Sequence, residues 1–400
     1  MTIKANRWLL PDGVDELLPP FANRLEQLRR DILDQYQGWG YELINTPLIE
    51  FLDSLLIVPS VELELSTFKL VDQLSGKGMG VRADISSQVA RIDAHVLQRE
   101  GITRLCYADS ALRTRPRGPL GSRCPHLIGA ELYGHCGVES DVEVIALLLN
   151  TLRIAGINQP LLALGHNQFC RQLLAAADLP VMLHDKLVAA LQNKAISDLD
   201  QLLANEAIPT QLAPIFKVLP SLHGDRSVLA RAGELFATLP ASLRELLDLA
   251  LEQLDAIATR LQAQFPEQTF YFDLCEQRGY DYHTGIIFSA YVSGHGEAIA
   301  NGGRYDAIGE VFGRKRAATG FDADLKTLLR LGQRNFSSAS RIYAPISDDV
   351  ALAQRVSELR AAGNAVIQGF DADLASARSQ GCSAVLAQDI DGEWHIQTLD

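Results

Sequence analysis

Four short segments of this 400-residue chain bring together side chains with binding chemistry. The first is Arg82-Ala83-Asp84-Ile85-Ser86. In an extended backbone, alternation puts Arg82, Asp84 and Ser86 on one face. There a carboxylate beside a hydroxyl is a grip for an ammonium group; the plainer alternative is a solvated surface strand. The second runs from Arg113 to Arg123 and holds Arg113, Arg115, Arg117 and Arg123 without one acid. Pro116, Gly118, Pro119 and Gly121 make it a loop. Arginine forks take phosphate or carboxylate bidentately, so the loop is either a contact for a nucleotide or acidic partner, or a solvated charged turn. The third, Gln277 to Gly285, mixes Arg278 and Asp281 with Tyr280, Tyr282 and His283 directly after a predicted strand. That mixture is typical of a polar ligand pocket. The fourth is Asn301-Gly302-Gly303-Arg304-Tyr305-Asp306, whose paired glycines allow close backbone approach or a tight turn. With no Gly-Lys-Ser or Gly-Lys-Thr after it, it is not a P-loop.

The elements that must position these segments are legible from periodicity. Phe21, Leu25, Leu28, Ile32, Leu33 and Tyr36 follow Pro19-Pro20 on one helical face, and Gly38 and Gly40 stop the helix. Tyr41 to Ile49 reads as extended, and its Pro47 suits an edge or strand end. Short apolar runs from Lys69 to Glu131 alternate with turn residues, as antiparallel strands do. Ser140-Asp141 is a cap for a helix bearing Val142, Ile145, Leu148, Leu149 and Leu152. Residues 169–262 are rich in Leu and Ala and read as a helical insertion. Strand signals resume at 269–274 and 285–292. Asn335 to Ser340 is a polar linker, and the last sixty residues read as strand, helix, strand, helix, strand. The expected fold class is α+β, an antiparallel sheet flanked by helices, with a core over 1–328 and a small C-terminal α/β domain over 341–400.

Composition narrows the function classes. Thirty-six basic residues against 49 acidic ones give a net charge of −13, which works against a protein whose main task is gripping nucleic acid. Six scattered cysteines without a C-x-x-C pair make a metal site unexpected and suit buried free thiols in a reducing cytosol. The most apolar stretch, 145–157, is shorter than a membrane span and contains Asn150 and Arg153. The expectation is a soluble cytoplasmic protein with no metal and no cofactor.

Taken in order, these segments resemble the class II histidyl-tRNA synthetase catalytic domain over roughly residues 6–328. Pro11-Asp12-Gly13 with Leu18-Pro19-Pro20 is similar to the synthetase N-terminus. Gly40-Tyr41-Glu42, Thr46-Pro47 and Glu50 are similar to motif 1, which forms the synthetase dimer. Arg82 to Ser86 resembles the Arg-Pro-Glu-x-Thr segment that holds the histidine amino group. Arg113 matches the motif 2 arginine, and His126 with Ile128-Gly129-Ala130-Glu131 matches the following strand. Arg278 to Tyr282 and Asn301 to Asp306 match two motifs that distinguish histidyl enzymes, and Gly320-Phe321 opens motif 3.

The departures fall on the ATP side. Where an active synthetase has a glutamate in motif 2, this chain has Arg115. A substrate-touching glutamine is replaced by Leu127, and the motif 3 arginine aligns with Thr327, or with Arg330 after a one-turn slip. Removing one preorganised donor typically costs ~10²–10³ in rate. The C-terminal sixty residues carry four arginines against nine acids, a poor surface for RNA phosphates.

A site that keeps amino-acid contacts while losing ATP contacts resembles the regulatory subunits of ATP phosphoribosyltransferase, the first enzyme of histidine biosynthesis. That resemblance implies a non-catalytic chain that dimerises through motif 1 and joins a short catalytic subunit in a hetero-octamer. It would activate that partner and relay feedback inhibition by histidine, without tRNA or membrane. It further implies histidine-binding roles for Asp84, Ser86, Arg113, Glu131, Arg278, Tyr282, His283 and Tyr305. Arg278 would hold the carboxylate, Asp84 with Ser86 the ammonium, and Glu131 the imidazole. The synthetase tyrosine on the imidazole's other side aligns with His283, so that Tyr282 or Tyr305 would supply the contact. The rival classes are an active histidyl-tRNA synthetase, a related amino-acid-activating ligase, and a dimerisation scaffold with a vestigial pocket.

Overall fold

The computed structural model describes residues 8–57, 60–118, 121–204, 207–277, 282–336, 340–370 and 374–399, with Leu374 by its backbone alone. The chain divides into two compact units, Met1–Arg334 and Asn335–Asp400.

The first unit is built on a nine-stranded sheet. Its strands are β1 (Glu42–Leu43), β2 (Thr103–Ser110), β3 (His126–Tyr133), β4 (Leu161–His166), β5 (His223–Gly224), β6 (Thr269–Asp273), β7 (Ile286–Tyr291), β8 (Ala300–Arg304) and β9 (Ala318–Asp324). They lie in the order β1-β2-β3-β9-β8-β7-β4-β6-β5. The pairs β1–β2 and β4–β6 are parallel, and the rest are antiparallel. A separate three-stranded sheet pairs Ile49–Phe51 and Phe68–Val71 with Gly78–Val81.

Period-two alternation sorts the large sheet into two faces. Cys106, Ala130, Phe321 and Phe288 point to the face covered by helices α1 (Phe21–Gly38) and α2 (Val138–Ile154). α1 buries Leu25, Leu28, Ile32 and Tyr36 of the stripe expected from its sequence, whereas Phe21 at its start is exposed and Leu33 only partly buried, and it ends where Gly40 takes φ +81°. Tyr36 reaches α2 through a 3.1 Å hydrogen bond with Thr151. α2 begins at Val138, so Ser140 and Asp141 lie inside its first turn instead of capping it, and both are buried. The other face carries Tyr107, Glu131, Asp322 and Gly303, and it is the face of interest.

Between β4 and β6 the chain is mostly helical, with helices at Gln168–Ala177, Val181–Gln192, Ile196–Leu203, Ala213–Val218, Ser227–Phe236 and Ala241–Gln264. Adjacent parallel strands need a long crossover, and this region supplies it. The second unit has the parallel strands Ala365–Gln368, Arg341–Ala344 and Ala384–Gln388, then an antiparallel edge strand Trp394–Thr398. That last strand was not expected from the sequence. Ile342, Leu352, Val356, Leu359, Val366 and Leu386 form a core within this unit. Asp349 caps the helix Val350–Ala361 and accepts a 2.8 Å bond from Trp394 Nε1.

Of the six free thiols, Cys106, Cys170, Cys275 and Cys382 are buried, whereas Cys124 is partly and Cys136 fully exposed. No cluster of potential metal ligands occurs among the described residues.

Candidate functional site

Glu131 stands near the middle of β3 and is 1% exposed. The Ser86 hydroxyl donates to its Oε1 at 2.7 Å, and the Tyr305 hydroxyl donates to its Oε2. The Tyr107 hydroxyl lies 3.4 Å from Ser86 Oγ. Burial pushes the Glu131 carboxyl up to about 8, against the pull of the bonds from Tyr305 and Ser86, and the charges of Asp84 and Asp322 add to the rise. A hydrogen-bonded carboxyl with two accessible protonation states is a recogniser for an imidazole or another nitrogen heterocycle.

Glycines make room for this group. Gly320 on β9 faces Glu131, and a Cβ there would sit 1.5 Å from Glu131 Oε2. A Cβ on Gly129 would sit 2.4 Å from the Tyr107 ring, and one on Gly303 would sit 2.7 Å from His283 Nε2. Gly129, Gly303 and Gly320 share the face of Glu131, so the sheet itself is the floor of the site.

Asp84 and Ser86 sit at the entrance of a helix, Ser86–Arg91. Asp84 Oδ1 accepts from the Ser86 amide at 2.9 Å, and its Oδ2 accepts from Arg117 Nη2 at 3.1 Å. Burial alone would raise the Asp84 carboxyl, but the Arg117 charge and the Ser86 N–H outweigh it and hold it below its ordinary value. For Asp322, burial prevails and raises the carboxyl despite Arg117. Arg113 is buried, donates from Nε to the Ala83 carbonyl at 3.1 Å, and leaves Nη2 without a hydrogen-bond partner. An unpaired buried guanidinium nitrogen is a standing invitation to a carboxylate or phosphate oxygen.

The site residues expected from the sequence therefore converge. Asp84, Ser86, Arg113, Glu131 and Tyr305 meet in one contact network, and His283 lies against Gly303 with its ring 4.2 Å from that of Tyr282. Arg278 lies outside the described residues.

One sequence expectation needs correction. Arg82 does not stand on a solvated strand with Asp84. It is 2% exposed and donates to Thr46 O, Thr46 Oγ1 and Ser110 O, each at 2.7 Å, with Asp109 at 2.8 Å. The strand ends at Val81 and a helix begins at Ser86, so the extended alternation that would have put them on one face does not run through these residues. Arg304 is likewise structural. It binds Asp141, Asp306 and Ser140 and the carbonyls of His135 and Gly137. Its motif gives the site Tyr305 and Gly303.

The positions that depart from an active synthetase are also placed. Arg115 is exposed, and Leu127 is buried in an apolar cluster with Ile85, Leu105 and Tyr107. Thr327 Oγ1 donates to Asp324 at 2.9 Å in the first turn of the helix Leu325–Leu331, whereas Arg330 is exposed near its end. Sequence reasoning missed Tyr107 and Asp322. Period-two alternation outward from Gly320 would have found Asp322, whereas Tyr107 reaches this face only through the pairing of β2 with β3. A shallow cleft of about 500 Å³ in the helical region, lined by Lys186, Asn193, Asp198 and Gln201, shares no residue with this site.

The histidyl-tRNA synthetase family model matches residues 13–328, and the model of the ATP phosphoribosyltransferase subunit HisZ C-terminal domain matches residues 339–397. An ATP phosphoribosyltransferase regulatory subunit from Alkalilimnicola ehrlichii is 49% identical over 398 residues, covering 99% of this chain and 98% of its own. The chain belongs to the ATP phosphoribosyltransferase regulatory subunit family. Its fold matches that of an ATP phosphoribosyltransferase regulatory subunit/histidyl-tRNA synthetase from Bacillus halodurans, with TM-score 0.81 at 24% identity over 95% of this chain and 97% of that one. It also matches a histidyl-tRNA synthetase from a Nostoc species, with TM-score 0.77 at 19% identity, covering 98% and 97%. The regulatory-subunit family thus uses the class II synthetase fold, as the motifs implied.

Proposed function

We propose that this chain is the non-catalytic regulatory subunit that activates a short ATP phosphoribosyltransferase catalytic subunit and carries feedback inhibition by histidine. The observation that supports this most is the split within one site. The buried Glu131–Ser86–Tyr305 cluster and the vacant Arg113 Nη2 are kept for an amino acid, whereas Arg115, Leu127 and Thr327 stand where an adenylating enzyme needs other groups.

In this proposal the imidazole of histidine bonds Glu131, its ammonium meets Asp84 and the free lone pairs of Ser86, and its carboxylate meets Arg113 and Arg278. Tyr282, His283 and Tyr305 close the ring side. Feedback requires histidine to prefer the inhibited state of the complex. Self-association through motif 1 is supported by the edge position of β1 and the exposed side chains of Leu43, Leu48, Ile49 and Phe51 beside it. Assembly into a hetero-octamer, independence from tRNA and a cytoplasmic location belong to the same proposal. No helix among the described residues is long and apolar enough to cross a membrane.

The test is co-purification with the short catalytic subunit, followed by phosphoribosyl-transfer rates with and without this chain and with added histidine. Activation that histidine suppresses is the expected result. ATP–pyrophosphate exchange dependent on histidine would instead identify an adenylating enzyme and overturn the proposal.

A further inference from the structure

Arg117 holds a position that the site's chemistry makes conspicuous. Its Nη2 is 3.1 Å from Asp84 Oδ2, its Nη1 is 3.9 Å from Asp322 Oδ2, and its Nε is 3.9 Å from Glu62 Oε1. The side chains of Asp84 and Asp322 are 23% and 14% exposed, whereas the Arg117 side chain between them is 43% exposed. Two half-buried acids from separate elements, the turn before Ser86 and the central strand β9, thus share one cation that enters from the solvent side. Arg113 lies in the same charge cluster, with Nη2 buried and unpartnered. Two carboxylates beside one vacant guanidinium nitrogen complement the ammonium and carboxylate of an α-amino acid. Only the ammonium half is filled, and a side chain of this chain fills it.

We infer that Arg117 is an internal stand-in for the effector's ammonium group, and that an amino acid binds by displacing its guanidinium from Asp84 and Asp322. This rests on the effector site proposed above and adds Asp322 to it as a second ammonium-binding carboxylate. Exchanging one cation for another leaves neither carboxylate stranded, so the swap avoids the penalty of uncompensated buried charge. The Arg117 contacts that must break act as a tax on apparent affinity. They also couple occupancy to the turn Thr114–Gly118, because a displaced Arg117 turns its charge outward beside exposed Arg115.

The sign of one substitution separates this from a ligand-contacting arginine. Calorimetry on the full chain compares L-histidine with 3-(imidazol-4-yl)propionate, which lacks the ammonium group. Arg117→Gln tightens L-histidine roughly two- to fivefold, the range of a partly exposed ion pair, and leaves the propionate unchanged. Arg117→Lys, which keeps the charge, stays within about twofold of wild type. Equal or weaker L-histidine binding by Arg117→Gln, with melting unchanged, overturns the inference while the site stands. An equal gain for the propionate overturns it too, since that is mere unblocking. No heat from either chain with L-histidine removes the site itself, and the inference with it.

Discussion

Glu131 links the chemistry of the site to the stability of the fold. Its carboxyl is raised to about 8 by burial, so the folded chain keeps a proton that the unfolded chain loses near pH 4.5. The stabilisation from this group is therefore complete below about pH 4.5 and is lost as pH rises through about 8. Its slope cannot exceed roughly 1.4 kcal/mol per pH unit. Glu131→Gln removes the slope, so its melting temperature gains on wild type between pH 5 and 8.5. A constant difference across that range would show that Glu131 is charged in the folded chain. Arg82 belongs at the same scale. Its donors tie its own segment to two others, at Thr46 and at Asp109–Ser110. Arg82→Met strands these acceptors and costs about 3 kcal/mol or more in urea denaturation. A cost below about 1 kcal/mol would return Arg82 to the surface role its sequence suggested. Sequence reasoning placed Arg82 beside Asp84 because both are charged and two apart. What decides its burial is a set of carbonyls 28 and 36 residues away, which no local pattern encodes.

At the scale of elements, the glycine floor makes a sharp prediction. Gly320→Ala places a methyl group inside Glu131's volume and must displace either the carboxyl or β9. The expected outcome is a loss of about 1–3 kcal/mol in stability and of more than tenfold in histidine affinity by calorimetry. Full retention of both would mean that Glu131 has another rotamer available at no cost. The helices α1 and α2 were legible because a stripe at 3.6-residue spacing declares both the element and its buried face. Glu131, Ser86 and Tyr305 were legible as members of separate motifs. Their meeting was not, because β9 and β8 reach β3 only through pairings almost 200 residues apart in sequence. Asp322 shows the cost of that gap. It shares a face with Glu131 only through the pairing of β9 with β3, and its segment was read only as the opening of motif 3.

At the scale of the whole molecule, the arginine-rich loop of this acidic chain divides its charges. Arg117 is ringed by Asp84, Glu62 and Asp322, Arg123 donates to the carbonyls of Arg113 and Asp12, and Arg115 is exposed. The second unit has its own apolar core, and every described residue of the site belongs to the first. A chain ending at Arg334 is therefore expected to bind L-histidine within about twofold of the full chain by calorimetry. A tenfold loss would assign the C-terminal unit a share in effector binding.

The position of β9 also carries a consequence for biosynthesis. It is the last strand of the large sheet to leave the ribosome, yet it lies between β3 and β8, near the middle. Until residues 318–324 are available, β3 and, once made, β8 each present an open hydrogen-bonding edge, and nascent chains that end between β3 and β9 are exposed to edge-to-edge association. The same strand carries Gly320 and Asp322, so closing the sheet and completing the proposed effector site are one event. Under that proposal, a chain that stalls before β9 has no site for the amino acid, and only a finished core can respond to it.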